Sequence, residues 1–246
     1  MGYHESLTEG RNAVLEAFRS GKTVDRLFVL DGCQDGPVKT ILREAKKQDT
    51  MVQYVKKERL DQLSETKNHQ GVIAYCAACE YAEVSDILEN AKKKGEAPFI
   101  VLLDGIEDPH NLGAIIRTAN QAGAHGVIIP KRRAVGLTAT VARTSAGAVN
   151  YTPVAKVTNL VTVMEDLKKE GMWFVCADMD GEEMYSLNLK GPIGLVIGNE
   201  GEGVSRLVQE HCDMVASIPM KGDIDSLNAS VAMGVLAYEI VRQRRF

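Results

Sequence analysis

Long apolar runs are missing from this 246-residue sequence, and their absence argues against a membrane-spanning helix. Such a helix needs roughly 20 consecutive apolar residues, and the N-terminus also lacks the apolar core of a secretory signal peptide. Cysteine is scarce, odd in number and scattered along the chain, at Cys33, Cys76, Cys79, Cys176 and Cys212. Cys76 and Cys79 form a lone C-x-x-C pair, and no second pair or nearby histidine completes a zinc site. We therefore expect a cytoplasmic protein with buried thiols, no membrane association and no metal.

The sequence also lacks an excess of basic residues, since 29 Lys and Arg stand against 33 Asp and Glu, a net charge of −4. A protein that holds a nucleic acid through its overall charge would be basic. Any nucleic-acid binding must therefore depend on local clusters, for which the candidates are Lys131-Arg132-Arg133, Arg143 and Arg206. For each of them taken alone, solvated surface charge is an equally good interpretation.

The first 80 residues have the pattern of a small α/β unit. Apolar spacing predicts helices over residues 9–20, 38–48 and 58–63, and strands over residues 24–30, 51–55 and 71–77. Residues 81–97, which include Lys92-Lys93-Lys94-Gly95-Glu96, resemble a linker with a short helix. We place the domain boundary there, between a domain of residues 1–80 and a domain of residues 98–246.

From residue 98 onwards, strands and helices alternate. The pattern predicts strands over 99–103, 126–130, 151–154, 173–177, 193–197 and 214–218, and helices over 112–122, 137–144, 159–170 and 204–210 before a last helix. Strands such as Phe99–Leu103 and Ile193–Ile197 are apolar almost throughout. Such strands are typical of a parallel sheet that is covered on both faces, and the fold class is therefore α/β.

A glycine-rich run, Gly198-Asn-Glu-Gly-Glu-Gly203, follows one of these strands and precedes a helix. Backbone amides can approach a ligand closely at such a place. The run is neither G-x-G-x-x-G nor a P-loop, and its two glutamates would repel a pyrophosphate or triphosphate. It suits a cationic ligand better, although a simple tight turn is an equally good interpretation of the run alone.

Two further stretches combine polar residues with a helix start. Asn111, preceded by Asp108-Pro109, begins the helix over 112–122, on which Arg117 lies opposite the apolar stripe. Near the C-terminus, the side chains of Ser226 and Asn228 can each accept an unpaired amide of a first helical turn. The helix that follows is apolar almost all round from Ala229 to Val241, so we expect it to be buried on more than one side. Taken alone, these features also fit a solvated arginine and two ordinary helix caps.

Taken together and in order, three stretches closely resemble the three motifs of the SpoU branch of the SPOUT methyltransferases: Asp104–Gly123, Gly194–Arg206 and Ile218–Glu239. Members of this family are S-adenosylmethionine-dependent RNA ribose 2′-O-methyltransferases. The resemblance implies a SPOUT-type parallel sheet with a C-terminal trefoil knot, where topology rules alone would predict an unknotted doubly wound fold. In full-length relatives a small L30e-like RNA-binding domain precedes it, and Asn68-His-Gln-Gly-Val72 matches a segment that recurs there. Locally, His69 fits a surface histidine in a polar turn.

The resemblance also implies roles for individual residues. Arg117 matches the catalytic centre with Asn111 beside it, Glu200 matches the acid that orients the catalytic loops, and Ser226 and Asn228 match the polar pair of the third motif. The residues implied to bind the cofactor, S-adenosylmethionine, chiefly through their backbone, are Gly198, Ile218, Met220, Leu227 and Asn228. For Arg117 we favour phosphate anchoring and electrostatic activation. The alternative role of general base is harder for a guanidinium, which scarcely deprotonates in proteins.

Within the family, the N-terminal domain favours the RlmB group, which modifies a guanosine in the peptidyl-transferase region of 23S ribosomal RNA. A transfer RNA or another ribosomal site is the nearest alternative substrate. A non-catalytic RNA-binding protein of the same fold is a different class, and a dinucleotide-dependent oxidoreductase is disfavoured by the missing G-x-G-x-x-G. The resemblance further implies a homodimer, with each site built across the subunit boundary.

Overall fold

The computed structural model describes residues 6–33, 35–223 and 226–245. The chain divides into two compact units, one of Met1–Glu80 with Gly136–Thr140 and the other of Tyr81–Val135 with Val141–Phe246. Among the described residues, no helix is long and apolar enough to cross a membrane.

The first unit is a four-stranded sheet with helices on both faces. Its elements are β1 (Ser6–Glu9), α1 (Arg11–Arg19), β2 (Val24–Leu30), α2 (Gly36–Lys47), β3 (Met51–Val55), α3 (Lys57–Leu63) and β4 (Val72–Cys76). The strand order is β1-β4-β2-β3, and β2 and β3 run parallel while β4 is antiparallel to both β1 and β2. Val14 of α1 and Ile41 of α2 pack on one face with Leu27, and Leu60 of α3 packs on the other with Phe28. Among the described residues of this unit, the short strand β1 is the one element that the sequence pattern does not predict.

His69 is buried in this unit, with 7% of its surface exposed. Its Nδ1 accepts a hydrogen bond from the amide of Gly71 at 3.0 Å, and its Nε2 lies 3.0 Å from Oδ1 of Asp61. The neighbouring Gln70 accepts a hydrogen bond from the amide of Arg11 through Oε1. The expectation of a surface histidine is therefore wrong. His69 and Gln70, which precede β4, form hydrogen-bonded contacts with α3 and with the first residue of α1.

The second unit is a sheet of six parallel strands. Its elements are α4 (Val84–Lys94), β5 (Phe99–Asp104), α5 (Pro109–Gln121), β6 (Gly126–Pro130), α6 (Ala139–Thr144, of which Val141–Thr144 belong to this unit), a 3-10 turn (Ala148–Asn150), β7 (Val154–Val157), α7 (Leu160–Lys169), β8 (Trp173–Glu183), β9 (Ile193–Gly198), α8 (Arg206–Glu210), β10 (Met214–Ser217) and α9 (Ala229–Arg245). The strand order is β10-β8-β9-β5-β6-β7, with every pairing parallel. This confirms the predicted α/β fold with a parallel sheet, while the trefoil knot stays a prediction.

The two central strands of this sheet, β5 and β9, are buried along almost their whole length. One face is covered by α4, α7 and α8, through Ile87, Met164 and Val208. On the other face α5 and α9 contact each other, and α9 also contacts β9 and β8. The guanidinium of Arg244 in α9 lies over the ring of Phe99, 5.4 Å from its centre.

The segment of residues 81–97 contains α4, which contributes to the core of the second unit. Ile87 is fully buried. A Cβ placed on Gly126 of β6 would lie only 2.5 Å from Cγ1 of Ile87. The helix of a predicted linker is thus packed against the sheet. The largest differences in other boundaries are that α5 begins three residues earlier than predicted, β7 begins three residues later and β8 extends six residues further.

The last helix, α9, is buried on two sides and exposed on a third. Met233, Leu236 and Ile240 are inaccessible to solvent or nearly so. Val231 and Tyr238 are 49% and 51% exposed and lie seven residues apart, which is two turns along one face. An apolar stripe of α9 is therefore left uncovered within the described part of the chain.

Candidate active site

A cleft of about 470 Å³ opens at the carboxyl ends of β5 and β9. From these neighbouring strands the chain continues in opposite directions, since β5 is followed by β6 on one side and β9 by β10 on the other. Ligands of open α/β sheets bind at such a point. The residues that line the cleft are Asp104, Gly105, Ile106, Glu107, Asp108, Asn111, Arg133, Asn199, Glu200, Gly201, Glu202, Gly203 and Ser205.

The first motif enters the cleft as the loop between β5 and α5. Asp108 caps α5, because its Oδ1 accepts a hydrogen bond from the amide of His110 at 2.9 Å. Pro109 occupies the first helical position, where no amide donor is needed. The cap and the proline fix the first turn of α5, and Asn111 on that turn lines the cleft.

The second motif forms a turn that is held by its own residues. Oδ1 of Asn199 accepts hydrogen bonds from the amides of Gly201 and Glu202 at 2.9 and 2.6 Å. The amide of Gly203 donates to the carbonyl of Asn199. A Cβ at Gly198 would lie 1.9 Å from the carbonyl carbon of Gly203, so a side chain at position 198 would break the turn.

These bonds decide which ligand the turn can accept. The amides of Gly201, Glu202 and Gly203 are all engaged, and that of Ser205 donates to Oδ2 of Asp104 at 2.8 Å. A phosphate-binding loop would instead offer free amides to the anion. Five carboxylates also line the cleft, which favours a ligand with positive charge.

The three motifs meet in one hydrogen-bonded cluster. Nδ2 of Asn111 donates to Oε1 of Glu200 at 2.9 Å, and Nδ2 of Asn228 donates to Oδ1 of Asn111 at 2.9 Å and to the same oxygen of Glu200. The amide of Ala229 also approaches this oxygen, at 3.4 Å. Oδ1 of Asn228 accepts the amide of Ser230 at 3.0 Å, so Asn228 caps α9 as its position suggested. A carboxylate with three donors thus joins the starts of α5 and α9 to the loop after β9.

Arg117 stands outside this cluster. It follows Asn111 by six residues on α5, which turns its side chain about 120° away around the helix. The side chain is exposed, and no hydrogen bond or ion pair joins it to another described residue. Its guanidinium donors are therefore open to solvent and available to a substrate.

The remaining predicted residues lie around the loop that precedes α9. Ile218 and Leu227 are half-buried, whereas Met220 and Ser226 are exposed. Among the described residues, no hydrogen-bond partner is found for the backbone groups of Ile218, Met220 and Leu227. They can therefore offer backbone donors and acceptors to a ligand, but they do not line the cleft itself.

Two residues that support the site were not singled out from the sequence. Asn199 closes the glycine-rich turn, and Asp104 ties that turn to the end of β5. The signal for Asn199 was present, because asparagine commonly accepts amides two and three residues ahead in a turn. The contact of Asp104 with Ser205 spans 101 residues and has no local signal.

The basic candidates differ in their surroundings. Of the Lys131-Arg132-Arg133 run, Arg133 lines the cleft. Arg206 is exposed and lies 3.3 Å from Glu210, one turn further along α8. Among the described residues, no group of three or more His, Cys, Asp or Glu has the arrangement of a metal site.

Comparison with known proteins places this geometry in a family. The model of the SpoU rRNA Methylase family matches residues 98–238, and a model for RNA 2′-O ribose methyltransferase substrate binding matches residues 7–82. YacO of Bacillus subtilis (strain 168), named as a TrmH family tRNA/rRNA methyltransferase, is 48% identical over 237 residues, which cover 96% of this chain and 94% of YacO.

Two solved structures are similar over nearly the whole chain. The SpoU methyltransferase AviRb from Streptomyces viridochromogenes, in complex with the cofactor AdoMet, has a TM-score of 0.62 and 27% identity, covering 98% of this chain and 91% of AviRb. An AdoMet-bound rRNA methyltransferase from Sinorhizobium meliloti has a TM-score of 0.60 and 25% identity, covering 96% of this chain and 86% of that one.

Proposed function

The chain belongs to the SpoU family of S-adenosylmethionine-dependent RNA methyltransferases, and we propose that it methylates the ribose 2′-oxygen of a guanosine in 23S ribosomal RNA. The observation that carries the proposal is the Asn111–Glu200–Asn228 cluster, in which all three motifs meet beside the cleft. The proposed target lies in the peptidyl-transferase region, as in the RlmB group. A non-catalytic protein of the same fold would have no need to keep this cluster beside an open cleft.

The residues around the cleft fit S-adenosylmethionine. Bound there, this cofactor supplies a methyl group on a sulfonium, whose positive charge the carboxylates at the cleft would favour. At position 198 only glycine fits, because a Cβ there would clash with the backbone of Gly203. We propose that Gly198, Asn228 and the backbone groups of Ile218, Met220 and Leu227, which are outside the lining of the cleft, hold the adenosyl part of the cofactor, while its sulfonium faces the carboxylates of the cleft.

We propose Arg117, six residues after Asn111 on α5, as the residue that acts on the RNA. Its free guanidinium can hold a phosphate through two parallel hydrogen bonds and stabilise negative charge on the attacking ribose oxygen. Glu200 fixes Asn111 and Asn228, so it positions the loops on which the reaction depends. Ser226 would complete the polar pair before α9. The rate then comes mainly from positioning.

We further propose that residues 1–80 form the RNA-binding domain and residues 98–246 the methyltransferase domain. The match of residues 7–82 to a substrate-binding model supports the first assignment. We also propose a cytoplasmic homodimer, which the uncovered apolar stripe of α9 supports, since Val231 and Tyr238 are half-exposed.

Transfer of a tritium-labelled methyl group tests the function directly. Total RNA from a strain that lacks this protein is incubated with the protein and labelled S-adenosylmethionine, and the labelled nucleotide is then mapped. We expect 2′-O-methylguanosine in the peptidyl-transferase region of 23S RNA. Label in transfer RNA would keep the chemistry and overturn the substrate. Cofactor binding without label in any RNA or pre-ribosomal particle would overturn the function.

A further inference from the structure

Among the described residues that line the cleft, Arg133 is the one cation, and five others carry carboxylates. Despite these neighbours, no hydrogen bond or ion pair joins its guanidinium to another described residue, and the side chain is exposed. A surface arginine surrounded by acids commonly pairs with one of them. An unpaired arginine at the cleft leaves its five donors free for a ligand.

The backbone holds Arg133 in place at the cleft. Its φ angle is 53°, a left-handed conformation that residues with a side chain rarely adopt. The turn is tied down at both ends, since the amide of Lys131 donates to the carbonyl of Val157 at 2.8 Å and that of Val135 donates to Ile106 at 3.0 Å. Ile106 itself lines the cleft. Residues kept in such a conformation by fixed surroundings cluster at functional sites.

The charge around the cleft indicates what Arg133 would bind. Five carboxylates favour a cationic cofactor but repel the phosphates of an RNA chain, which must nevertheless approach if its ribose is to react. An arginine at the lining offsets this repulsion at one point and offers a planar fork that matches a phosphate. The neighbouring Arg132 is exposed but does not line the cleft.

We propose that Arg133 binds a backbone phosphate of the RNA next to the target nucleotide and so positions that nucleotide at the cleft. This inference rests on the proposed function, because it assumes that RNA enters the cleft. The carboxylate of the cofactor is the other anion that could reach Arg133, and the experiment separates the two.

The test compares Arg133→Ala and Arg133→Gly with Lys169→Ala, a control that removes an exposed cation of α7 outside the cleft. Glycine tolerates the left-handed backbone, so agreement between the two truncations excludes a folding artefact, which thermal unfolding also checks. Three quantities are measured: KM and kcat for unmodified, transcribed 23S RNA, affinity for that RNA at several salt concentrations, and affinity for S-adenosylmethionine by calorimetry.

We expect both truncations to raise KM for RNA by about tenfold or more, as for loss of a charge-assisted hydrogen bond. The slope of log affinity against log salt should become shallower by about 0.7 to 0.9, while cofactor affinity stays unchanged. Arg133→Lys should restore the salt slope but only part of the affinity. Lys169→Ala, which removes only an exposed ion pair with Asp166, should leave KM within about twofold of the parent.

Two results would overturn the inference: truncations that match Lys169→Ala in RNA affinity, or truncations that weaken cofactor binding with RNA binding intact. The second would assign Arg133 to the cofactor carboxylate. Failure of the proposed function looks different, since the parent protein itself would then transfer no methyl group to 23S RNA. Even in that case, the salt dependence of RNA affinity in the Arg133 variants shows whether Arg133 contacts a phosphate.

Discussion

The proposed role of Arg117 depends on its exposed guanidinium, which no hydrogen bond or ion pair joins to another described residue. Replacing it with alanine should lower kcat by about 10²- to 10³-fold, the cost of removing one group that stabilises developing charge. Affinity for S-adenosylmethionine should be unchanged, because Arg117 lies outside the Asn111–Glu200–Asn228 cluster. Single-turnover methyl transfer and calorimetry measure the two effects.

Arg117→Lys and Arg206→Ala are the controls for this variant. Lysine keeps the charge without the planar fork and should retain part of the activity. Arg206 is exposed and paired with Glu210 on α8, so its loss should change kcat by less than about threefold. If Arg117→Ala instead abolishes cofactor binding, the proposed role of Arg117 is wrong.

His125 links the stability of the second unit to pH. It is fully buried, its Nδ1 accepts the amide of Phe99 at 3.0 Å, and its Nε2 lies 3.1 Å from Glu96. Burial lowers the pKa of His125 below its usual value, even though the bond to Glu96 acts in the opposite direction. The folded protein therefore resists protonation of this ring, which would also break the bond from Phe99.

The expected consequence is a loss of stability at mildly acidic pH. Below the ordinary histidine pKa of about 6.5, residue 125 is protonated in the unfolded chain but stays neutral in the folded chain. The free energy of unfolding therefore falls as pH decreases, by up to about 1.4 kcal/mol per pH unit. Urea unfolding between pH 8 and 5 should show a steeper fall for the parent than for His125→Gln. The exposed His110→Gln should behave like the parent, and equal slopes for all three proteins would contradict the prediction.

At the scale of elements, the packing of α4 on β6 can be tested through one glycine. A Cβ on Gly126 would lie 2.5 to 2.8 Å from three side-chain carbons of Ile87. Gly126→Ala should destabilise the protein by about 1 to 3 kcal/mol, as for overpacking. In the double variant with Ile87→Ala the added methyl group enters the space left by isoleucine, so the combined loss should be smaller than the sum.

Gly191→Ala is the matched control, because nothing lies within 4 Å of a Cβ at that position. Its free energy of unfolding in urea should stay within about 0.5 kcal/mol of the parent. Strictly additive losses for Gly126 and Ile87 would mean that α4 does not press on β6 and behaves as a linker after all.

The elements that the sequence predicts well are those with a strong local pattern. Strands β5 and β9 were recognised because nearly every residue in them is apolar, and both are central and buried. Strand β1 has only four residues without such a pattern, and its pairing with β4 spans some 70 residues of sequence. Burial of His69 could not be predicted either, because it depends on Asp61 across a turn.

In the candidate site, too, features with a local sequence signal could be predicted and contacts between distant residues could not. Helix starts and the glycine-rich turn are local, so Asn111, Asn228 and Gly198 could be singled out from their neighbours in the chain. That Asn111 meets Glu200, 89 residues away, could be expected only from the family resemblance. Family, enzyme class and cofactor are confirmed, whereas the roles of single residues stay predictions that the variants above test.

For the whole molecule, the net charge of −4 limits how RNA can be held. Without a strong overall attraction, affinity must come from a few placed cations and from the substrate-binding unit. Arg117 and Arg133 are both exposed in the second unit. A modest number of phosphate contacts predicts RNA binding that depends only moderately on salt.

The assembly of two chains is the largest-scale prediction. Val231 and Tyr238 form an apolar stripe on α9, whose other sides are covered by α5 and the sheet. A second copy that covered this stripe would bury both side chains and complete the all-round burial that the sequence of α9 predicts. We therefore expect a dimer by light scattering, and a monomer with much reduced methyl transfer for the Val231→Asp, Tyr238→Asp double variant.

Tyr54→Asp, at a residue of β3 with 56% exposure, should stay dimeric. A monomeric parent, or a double variant that stays dimeric, would show that α9 faces no partner. Full activity in a monomeric double variant would instead keep the interface and remove the need for a site shared between subunits.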